Sequence, residues 1–504
     1  MRAIARTTER IFNPFQCSIV SLHPSRFYRR TPVLPPEIWL EIFQFATYVH
    51  HEATIEPMDP FTLKNITHNI MGENSSTSSL RMRCTLPLVC KEWHQLSLRL
   101  LYRHIVVRSP ARARQILRAL EAHPAQVDMR PIKPSSTSYY GQWTRHIEIY
   151  THARGSSSMS FLQDLARIFL CCPNVRMLSA HWMHSPPKPF LDCISRVYGS
   201  TLEGIYWKES LPMWLAFAEQ LDHWPSSPAF LGSFQNLRVL DLRHFRGQDP
   251  DRLLPSQQAT PKPTLPCVTS LVLSTEARSL AAAQKITLPA LSRLTLYTAP
   301  NATQIDDAAI DRFLQAHGAN ITVVDLPTPS RDAEPEPAPI IGRRAPTVYV
   351  KPDLFLKPDR CPLLDTLVFA AGAPELEAYG HSALRRVGIR GVRADSLYPS
   401  KAHRVKTHLQ NLTRALYPRL EVVRTVGFLV EADVDSLIKD IFIWWTEKFE
   451  KDGVDFQDGE GVVWLYTDPV VEEGAEAGAT DVHKVDAAKV DAQKVDAQKV
   501  DAQK

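Results

Sequence analysis

The segment Leu288-Pro289-Ala290-Leu291-Ser292-Arg293-Leu294-Thr295-Leu296 carries the pattern that decides the fold. A proline is followed by an x-L-x-x-L-x-L run, in which the last leucines alternate with a polar residue. Alternation of apolar and polar residues is typical of a β-strand that buries one face. The pattern therefore predicts a short strand whose leucines point into a core.

The same unit recurs along the chain from residue 172 onwards. A single repeat cannot bury its own leucines, whereas stacked neighbours can, so a repeated strand predicts a solenoid. The mean spacing of about 31 residues fits one strand plus a return helix or loop. We expect an α/β fold, an irregular leucine-rich-repeat-like solenoid, with a generic α/β domain of buried strands as the alternative. The first apolar positions of the copies are residues 175, 202, 237, 268, 291, 321, 364, 384 and 420.

Composition narrows the possible classes of protein. Of the 504 residues, 44% are hydrophobic and 22% are charged, which excludes a largely disordered protein for the bulk of the chain. The net charge of +4 gives no strong overall field for nucleic acid, and no apolar run of 18 residues predicts a membrane span. The 39 prolines outnumber the 19 glycines, which disfavours glycine-rich phosphate loops. We expect no nucleic-acid partner and no membrane partner.

An amphipathic helix is predicted near the N-terminus. Pro35 and Pro36 set φ for a first helical turn, and Glu37 suits the positive end of the helix dipole. Ile38 and Ile42 belong to one apolar stripe, and a second stripe beside it begins at Trp39. A short helix with two apolar faces requires two partners.

Helical periodicity resumes at Leu80 and continues to about Leu101. Pro87 predicts a helix boundary within this run. The polar residues 50–79 in between indicate a loop insertion. Nine arginines or lysines and a single acid occur between Arg81 and Arg118, which predicts a basic surface.

Two of these segments resemble the halves of an F-box. Leu34-Pro35-Pro36-Glu37-Ile38 with Ile42-Phe43 is similar to its first half, and Leu88-Val89-Cys90-Lys91-Glu92-Trp93 to its second half. Together with the repeats, the chain resembles fungal F-box proteins that carry degenerate leucine-rich repeats. An ordinary F-box is a compact three-helix unit of about fifty residues, and the insertion at 50–79 lengthens its first connection here.

The resemblance implies a function. It implies the substrate-recognition subunit of an SCF-type cullin–RING ubiquitin ligase, which docks an SKP-type adaptor, and through it a cullin, and binds a protein substrate on the repeats. It implies no catalysis and no cofactor. The adaptor-binding positions carried over from the family are Leu34, Pro35, Ile38, Ile42, Phe43, Leu88, Val89, Cys90 and Trp93. Packing within the helical unit is the alternative role for each of them.

The expected organisation has four parts. A basic disordered arm covers residues 1–33, and the F-box covers 34–103. The solenoid covers 104–467, with a proline-rich loop at 327–362 and a C-terminal cap at 433–467. A tail containing Lys-Val-Asp-Ala-Gln repeats covers 468–504 and is expected to be disordered. Eight cysteines without a C-x-x-C pair predict a reducing compartment, cytoplasmic or nuclear, although the arginine-rich arm leaves a mitochondrial location open.

The sequence contains little local evidence of catalysis. Cys171, Cys172, His181 and His184 have a spacing that suggests zinc, but adjacent cysteines on an extended segment point to opposite faces. Asp433 and Asp435 are better explained as helix capping than as paired catalytic carboxylates. We therefore expect no metal and no enzyme activity. The alternatives are a repeat scaffold outside any ligase and a hydrolase or metal enzyme on an unrelated α/β fold.

Overall fold

A computed structural model of the chain describes most of residues 34–465. The described residues are 34–62, 75–122, 140–183, 186–209, 228–245, 262–299, 302–327, 348–377, 379–400, 403–430 and 436–465. The expected basic arm at 1–33 and the repeat tail at 468–504 lie outside these residues, as do most of the proline-rich loop and Asp433 and Asp435. The chain divides into two compact units, Met1–Val463 and Trp464–Lys504, and every helix and strand described below belongs to the first.

One parallel β-sheet of twelve strands runs through the first unit. Its strands follow one another in chain order, so each strand pairs only with its predecessor and its successor. Stacked repeats produce this order, because each repeat contacts only its neighbours. The α/β prediction is confirmed. The strands are β1 (His104–Val107), β2 (His146–Tyr150), β3 (Met177–Trp182), β4 (Gly204–Glu209), β5 (Val239–Asp241), β6 (Ser270–Ser274), β7 (Arg293–Tyr297), β8 (Val323–Asp325), β9 (Thr366–Ala370), β10 (Arg386–Arg390), β11 (Val422–Val426) and β12 (Asp455–Gln457).

The repeat motif sets where nine of these strands begin. Each of the nine first apolar positions is completely buried, and in each repeat the strand starts two residues later. Leu291, for example, lies in the core immediately before β7, and Leu294 and Leu296 of that strand are buried beside it. Complete burial of one leucine is worth about 1.5–3 kcal/mol. The leucines of the motif therefore form one continuous core along the sheet.

Three strands lie outside the pattern that the sequence revealed. β1, β2 and β12 have Tyr102, Thr144 and Gly453 at the position two residues before the strand, where the other repeats have an aliphatic residue. Thr144 is fully buried, so it occupies the same place with a polar side chain. Tyr102 is half-buried and Gly453 is exposed. Pattern reading misses these strands because none of the three has an aliphatic residue at that position.

Helices return the chain between strands. The helix at 159–171 is typical: the Ser158 hydroxyl accepts a hydrogen bond from the Phe161 amide at 3.3 Å, and its buried residues share one face. No helix among the described residues is long and apolar enough to cross a membrane. The helices are α1 (Pro36–Ala46), α2 (His50–Ala53), α3 (Ser76–Thr85), α4 (Lys91–Arg103), α5 (Pro110–Glu121), α6 (Met159–Cys171), α7 (Lys188–Tyr198), α8 (Pro228–Leu231), α9 (Ala277–Gln284), α10 (Asp307–His317), α11 (Asp353–Leu356), α12 (Arg404–Asn411) and α13 (Ser436–Glu450).

Two regions near the C-terminal end differ in detail from the expectation. The segment 327–362 is not only a loop, because α11 lies within it and buries Phe355 and Leu356. α13 begins at Ser436 and covers the last strands: the ring of Phe442 lies 4.7 Å from that of Phe456 in β12, and Trp445 Nε1 donates to the Leu397 carbonyl at 2.8 Å. Aromatic packing thus covers the last strand of the sheet.

Candidate interaction surface on the N-terminal helices

The N-terminal helices have a small core of their own. Three residues are buried together: Phe43 of α1, Leu86 before α4 and Leu100 within α4. Packed against them are Trp39, Trp93 and Leu96. The ring centroid of Trp93 lies 4.8 Å from that of Trp39 and 4.7 Å from that of Phe43. This cluster uses the second apolar stripe of α1.

The positions of Phe43 and Trp93 therefore do not match the role predicted for them, which was contact with the adaptor. Phe43 is only 1% exposed and lies inside the helical core, so it has no surface to offer a partner. Trp93 is half-buried in the same cluster. Both residues hold α1 against α4, which was the alternative role for every residue of the set.

The first apolar stripe of α1 is exposed. Ile38 is 41% and Ile42 is 43% exposed, and Pro35 beside them is exposed as well, while Leu34 is half-buried. Pro35 is the N-cap of the helix, and Pro36 occupies its first turn. The stripe that the sequence identified for a second partner thus has a large solvent-accessible fraction.

A short 3₁₀ turn presents more apolar side chains. Residues Leu86–Leu88 form this turn around Pro87, which ends the preceding helix α3. Leu86 points into the core, whereas Leu88 is 83% and Val89 is 54% exposed. Leu88 is thus far more exposed than a leucine with a structural role would be.

Cys90 has a second role at the start of α4. Its backbone is extended, and its sulfur accepts a hydrogen bond from the Trp93 amide at 3.4 Å, so it is the N-cap of the helix. The thiol is also exposed. Sequence reasoning missed the cap, because cysteine is not among the residues preferred there.

We call the apolar residues of this region that are exposed, together with the half-buried Leu34, the helical patch. It includes Phe45 and Met82, which the sequence reasoning did not select, although Phe45 belongs to the stripe of Ile38. Exposed apolar clusters on a folded protein mark interaction sites. The helical patch consists of Leu34, Pro35, Ile38, Ile42, Phe45, Met82, Leu88, Val89 and Cys90.

The described part of the predicted insertion includes a segment that lies on the sheet. Residues 54–62 follow α2 and contact strands far apart in the chain: a Cβ at Gly204 of β4 would lie 3.3 Å from Ile55, and Glu56 pairs with Arg293 of β7 at 3.2 Å. Further along, the Arg424 guanidinium of β11 donates to the Phe61 carbonyl at 3.0 Å and lies over the Phe61 ring. We call residues 54–62 the strap.

The strap is long enough to contact strands near both ends of the sheet. Nine residues separate Glu52, whose carbonyl contacts His146 of β2, from Phe61, which contacts β11. Nine residues span at most about 32 Å, whereas nine strand spacings cover about 43 Å, and the side chains of His146 and Arg424 bridge the difference. The strap therefore crosses one face of the sheet from β2 to β11.

A buried charged cluster joins the helices to the sheet. Glu52 of α2 pairs with Arg83 of α3 and, at 3.4 Å, with His104 of β1, whose other ring nitrogen lies 3.3 Å from Glu148. Arg83, which the sequence placed on a basic surface, is therefore buried and neutralised. The neighbouring His146 donates from Nδ1 to the Glu52 carbonyl at 3.1 Å and accepts from the Ser179 hydroxyl at 2.8 Å.

Burial and charge shift the pKa values within this cluster. Burial opposes ionisation of His104, but its contacts with Glu148 and Glu52 outweigh burial and raise its pKa. Burial also opposes ionisation of Glu148, yet His104 and Tyr150 lower its pKa to about 2. His146 is the exception, because burial and the charge of His104 lower its pKa to about 3. Their surroundings thus favour the charged form of His104 and the neutral form of the adjacent His146.

The remaining candidates are the cysteines and histidines whose spacing suggests zinc. Cys171 ends α6 and Cys172 is buried, with its pKa raised by burial to about 12, while His184 is outside the described residues. Among the residues that the structure describes, no group of three histidine, cysteine or carboxylate side chains could hold a metal ion.

Comparison with known proteins adds two distant likenesses. No protein-family model matches the sequence, and no curated protein matches it. A solved protein from Bacteroides fragilis is 10% identical, with a TM-score of 0.31, over 72% of this chain and 75% of its own. The complex of Rad7 and Elc1 in yeast contains a chain that is 12% identical, with a TM-score of 0.24, over 78% of this chain and 89% of its own. Likeness at this level assigns no function.

Proposed function

We propose that this chain is the substrate-recognition subunit of an SCF-type cullin–RING ubiquitin ligase. In this proposal the F-box-like helices dock an SKP-type adaptor, which connects the chain to a cullin, and the repeat region binds a protein substrate. The proposal assigns no catalysis and no cofactor to this chain. The observation that carries it is the helical patch, which lies on the segments that resemble an F-box.

Leu88 and Val89 support the proposal most directly. A side chain that is 83% exposed contributes almost nothing to the folded monomer, so stability does not explain a leucine at this place. Aliphatic and aromatic anchors of this kind dominate the affinity of protein interfaces when a partner buries them. Leu88, Val89 and Ile42 are the anchors that we assign to the adaptor.

The proposal changes the roles of two residues of the original set. Phe43 and Trp93 hold the helices together and act on the adaptor only through the positions of Ile42 and Leu88. Exposed basic residues near the helical patch, such as Arg81 and Lys91, favour an acidic partner and faster association. Arg83 does not contribute to this basic surface, since Glu52 neutralises it.

A binding assay with purified SKP-type adaptor tests the proposal. The full chain is compared with Leu88→Asp and with Leu363→Asp, which introduces the same charge at an exposed leucine of the repeats. We expect the full chain to bind, Leu88→Asp to lose binding at least about tenfold, and Leu363→Asp to bind as the full chain does.

Two results would contradict the proposal. One is a folded full chain that does not bind the adaptor, and the other is equal loss of binding in both variants. Circular dichroism verifies that each variant is folded, because an aspartate at an exposed position leaves the core intact. A second variant, Ile42→Asp, probes the same surface from α1 in case Leu88→Asp perturbs the 3₁₀ turn.

The connection of the helices to the sheet favours a second function, that of a repeat scaffold. The strap and the charged cluster around Glu52 bind the N-terminal helices to the repeats, as expected of helices that cap a solenoid. A scaffold of this kind predicts that the helices stabilise the repeats and that no adaptor binds. The adaptor assay therefore also separates the two functions.

A further inference from the structure

A pocket lies between the N-terminal helices and the start of the sheet. It has a volume of about 720 Å³, which is within the range of small-molecule sites. Leu40 and Gln44 of α1 form one wall, and residues 53–56 form another. These α1 residues lie on a different face from Ile38 and Ile42, so the pocket is separate from the helical patch.

Five arginines line this pocket. Arg99 and Arg103 come from α4, and the others come from the edge of the sheet where the strands begin. They are Arg99, Arg103, Arg145, Arg176 and Arg238.

The arginines at the sheet edge occupy equivalent places. Arg103, Arg145 and Arg176 each immediately precede a strand, and the backbone ladder continues through them: the Arg145 amide donates to the Arg103 carbonyl at 2.9 Å, and the Arg176 amide to the Arg145 carbonyl at 2.8 Å. Equal charges on neighbouring strands are destabilising. Within this row one acid, Glu203, precedes β4, so four of the five places from β1 to β5 carry an arginine. Further along the sheet the same place carries Thr269, Ser292 and Thr322, so positive charge predominates at the pocket.

The acids near the pocket pair with only one of these five arginines, Arg176. Glu203 lies 3.5 Å from Arg176, and Glu56 pairs with Arg293 outside the set. Within the described part of the chain, no carboxylate lies within ion-pair distance of Arg99, Arg103, Arg145 or Arg238. Burial, and then the charges of Arg176 and Arg103, lower the pKa of Arg145, which shows how closely the positive charges are placed.

We propose that this pocket binds a small molecule that carries two or more phosphate groups. Guanidinium groups bind phosphate oxygens in pairs through parallel hydrogen bonds, and four arginines without a carboxylate partner fit an anion with several phosphates. Arg145 Nη1 donates to the carbonyls of Gln142, Thr144 and Asn174, so its Nε and Nη2 remain for the ligand. The size of the pocket fits a compact ligand better than a peptide chain. Because Arg99 and Arg103 come from the helices and Arg145 and Arg238 from the repeats, the ligand ties the two regions together.

Inorganic tripolyphosphate, titrated calorimetrically into the full chain at about 0.15 M salt, tests the proposal directly. We expect saturable binding and a rise in the thermal unfolding midpoint. The double variant Arg145→Gln and Arg238→Gln should bind at least about tenfold more weakly, because each arginine provides charge-assisted hydrogen bonds. No adaptor is present, so failure here leaves the proposed ligase function intact.

Arg385→Gln is the matched control. Arg385 also immediately precedes a strand, β10, but it pairs with Glu421 at 2.8 Å and lies outside the pocket. This variant should bind as the full chain does. If the double variant does not fold, Arg99→Gln on the exposed side of α4 tests the same pocket and should also weaken binding.

Three results would overturn the proposal. The first is absence of binding at about 1 mM tripolyphosphate, a concentration far above the dissociation constant expected of a specific site. The second is equal weakening by Arg385→Gln, which would indicate attraction to net charge only. The third is binding of a phosphorylated peptide without any binding of tripolyphosphate, which would assign the pocket to a protein partner.

Discussion

The N-terminal helices and the repeats treat their apolar side chains in opposite ways. In the repeats, each leading residue of the motif is completely buried, since the neighbouring repeat covers it. In the helices, one stripe of α1 forms the core with Trp39 and Trp93, while Ile38 and Leu88 remain exposed. The same residue types therefore serve the fold in one region and are available to a partner in the other. Exposure, and not residue type, separates the two roles.

The largest effect is expected from a substitution that compares these two roles directly. Leu291→Ala should lower the free energy of unfolding by about 2–5 kcal/mol, because it removes a fully buried side chain and leaves a cavity. Leu88→Ala should change it by less than about 0.5 kcal/mol. Urea denaturation followed by circular dichroism measures both. A Leu88→Ala variant as unstable as Leu291→Ala would show that Leu88 belongs to the core.

A smaller effect is expected where the strap meets the repeats. Arg424→Met removes the hydrogen bonds to the Phe61 carbonyl and to Gln457, at a cost of about 1–3 kcal/mol. Amide hydrogen exchange of residues 54–62 should become faster in this variant. Exposed Arg419 provides the control, and Arg419→Met should leave the exchange unchanged. Unaltered exchange in Arg424→Met would mean that other contacts hold the strap.

The smallest effect concerns the charged cluster between the two regions. The pKa of His104 is raised in the folded chain. Its contribution to the free energy of unfolding is therefore complete below the pKa of the unfolded chain, about 6.5, and is lost as the pH rises through the pKa of the folded chain. His104→Gln should therefore destabilise the protein most at low pH, and its difference from the unmodified chain should shrink as the pH rises.

Urea denaturation of both proteins between about pH 5 and pH 9 measures this difference. In the unmodified chain Glu52 and Glu148 remain ionised in the folded state over that range, since their pKa values are lowered, in part by His104. Neutral His146 opposes stability as the pH falls below about 6.5, but it is present in both proteins. A difference that does not depend on pH would mean that His104 acts through packing and not through its charge.

The sequence alone determined the positions of nine strands and of the helices around Pro36 and Trp93. It could do so because a buried strand or helix face requires apolar residues at fixed spacing, which remains readable when the repeats are degenerate. β1, β2 and β12 stayed hidden, since Thr144 and Gly453 do not carry that signal. The division of α1 into two stripes was also readable, but not which stripe the core would use.

Only the tertiary structure decided the rest. Phe43 was assigned to a partner because its spacing cannot tell an internal contact from an external one. The strap is irregular and has no periodic pattern, so nothing in residues 54–62 shows that they cross one face of the sheet. The arginines of the pocket are spread from Arg99 to Arg238, and they meet because the parallel strands start at one edge. Local periodicity sets the secondary structure of this chain, whereas the stacking of repeats decides which distant charges become neighbours.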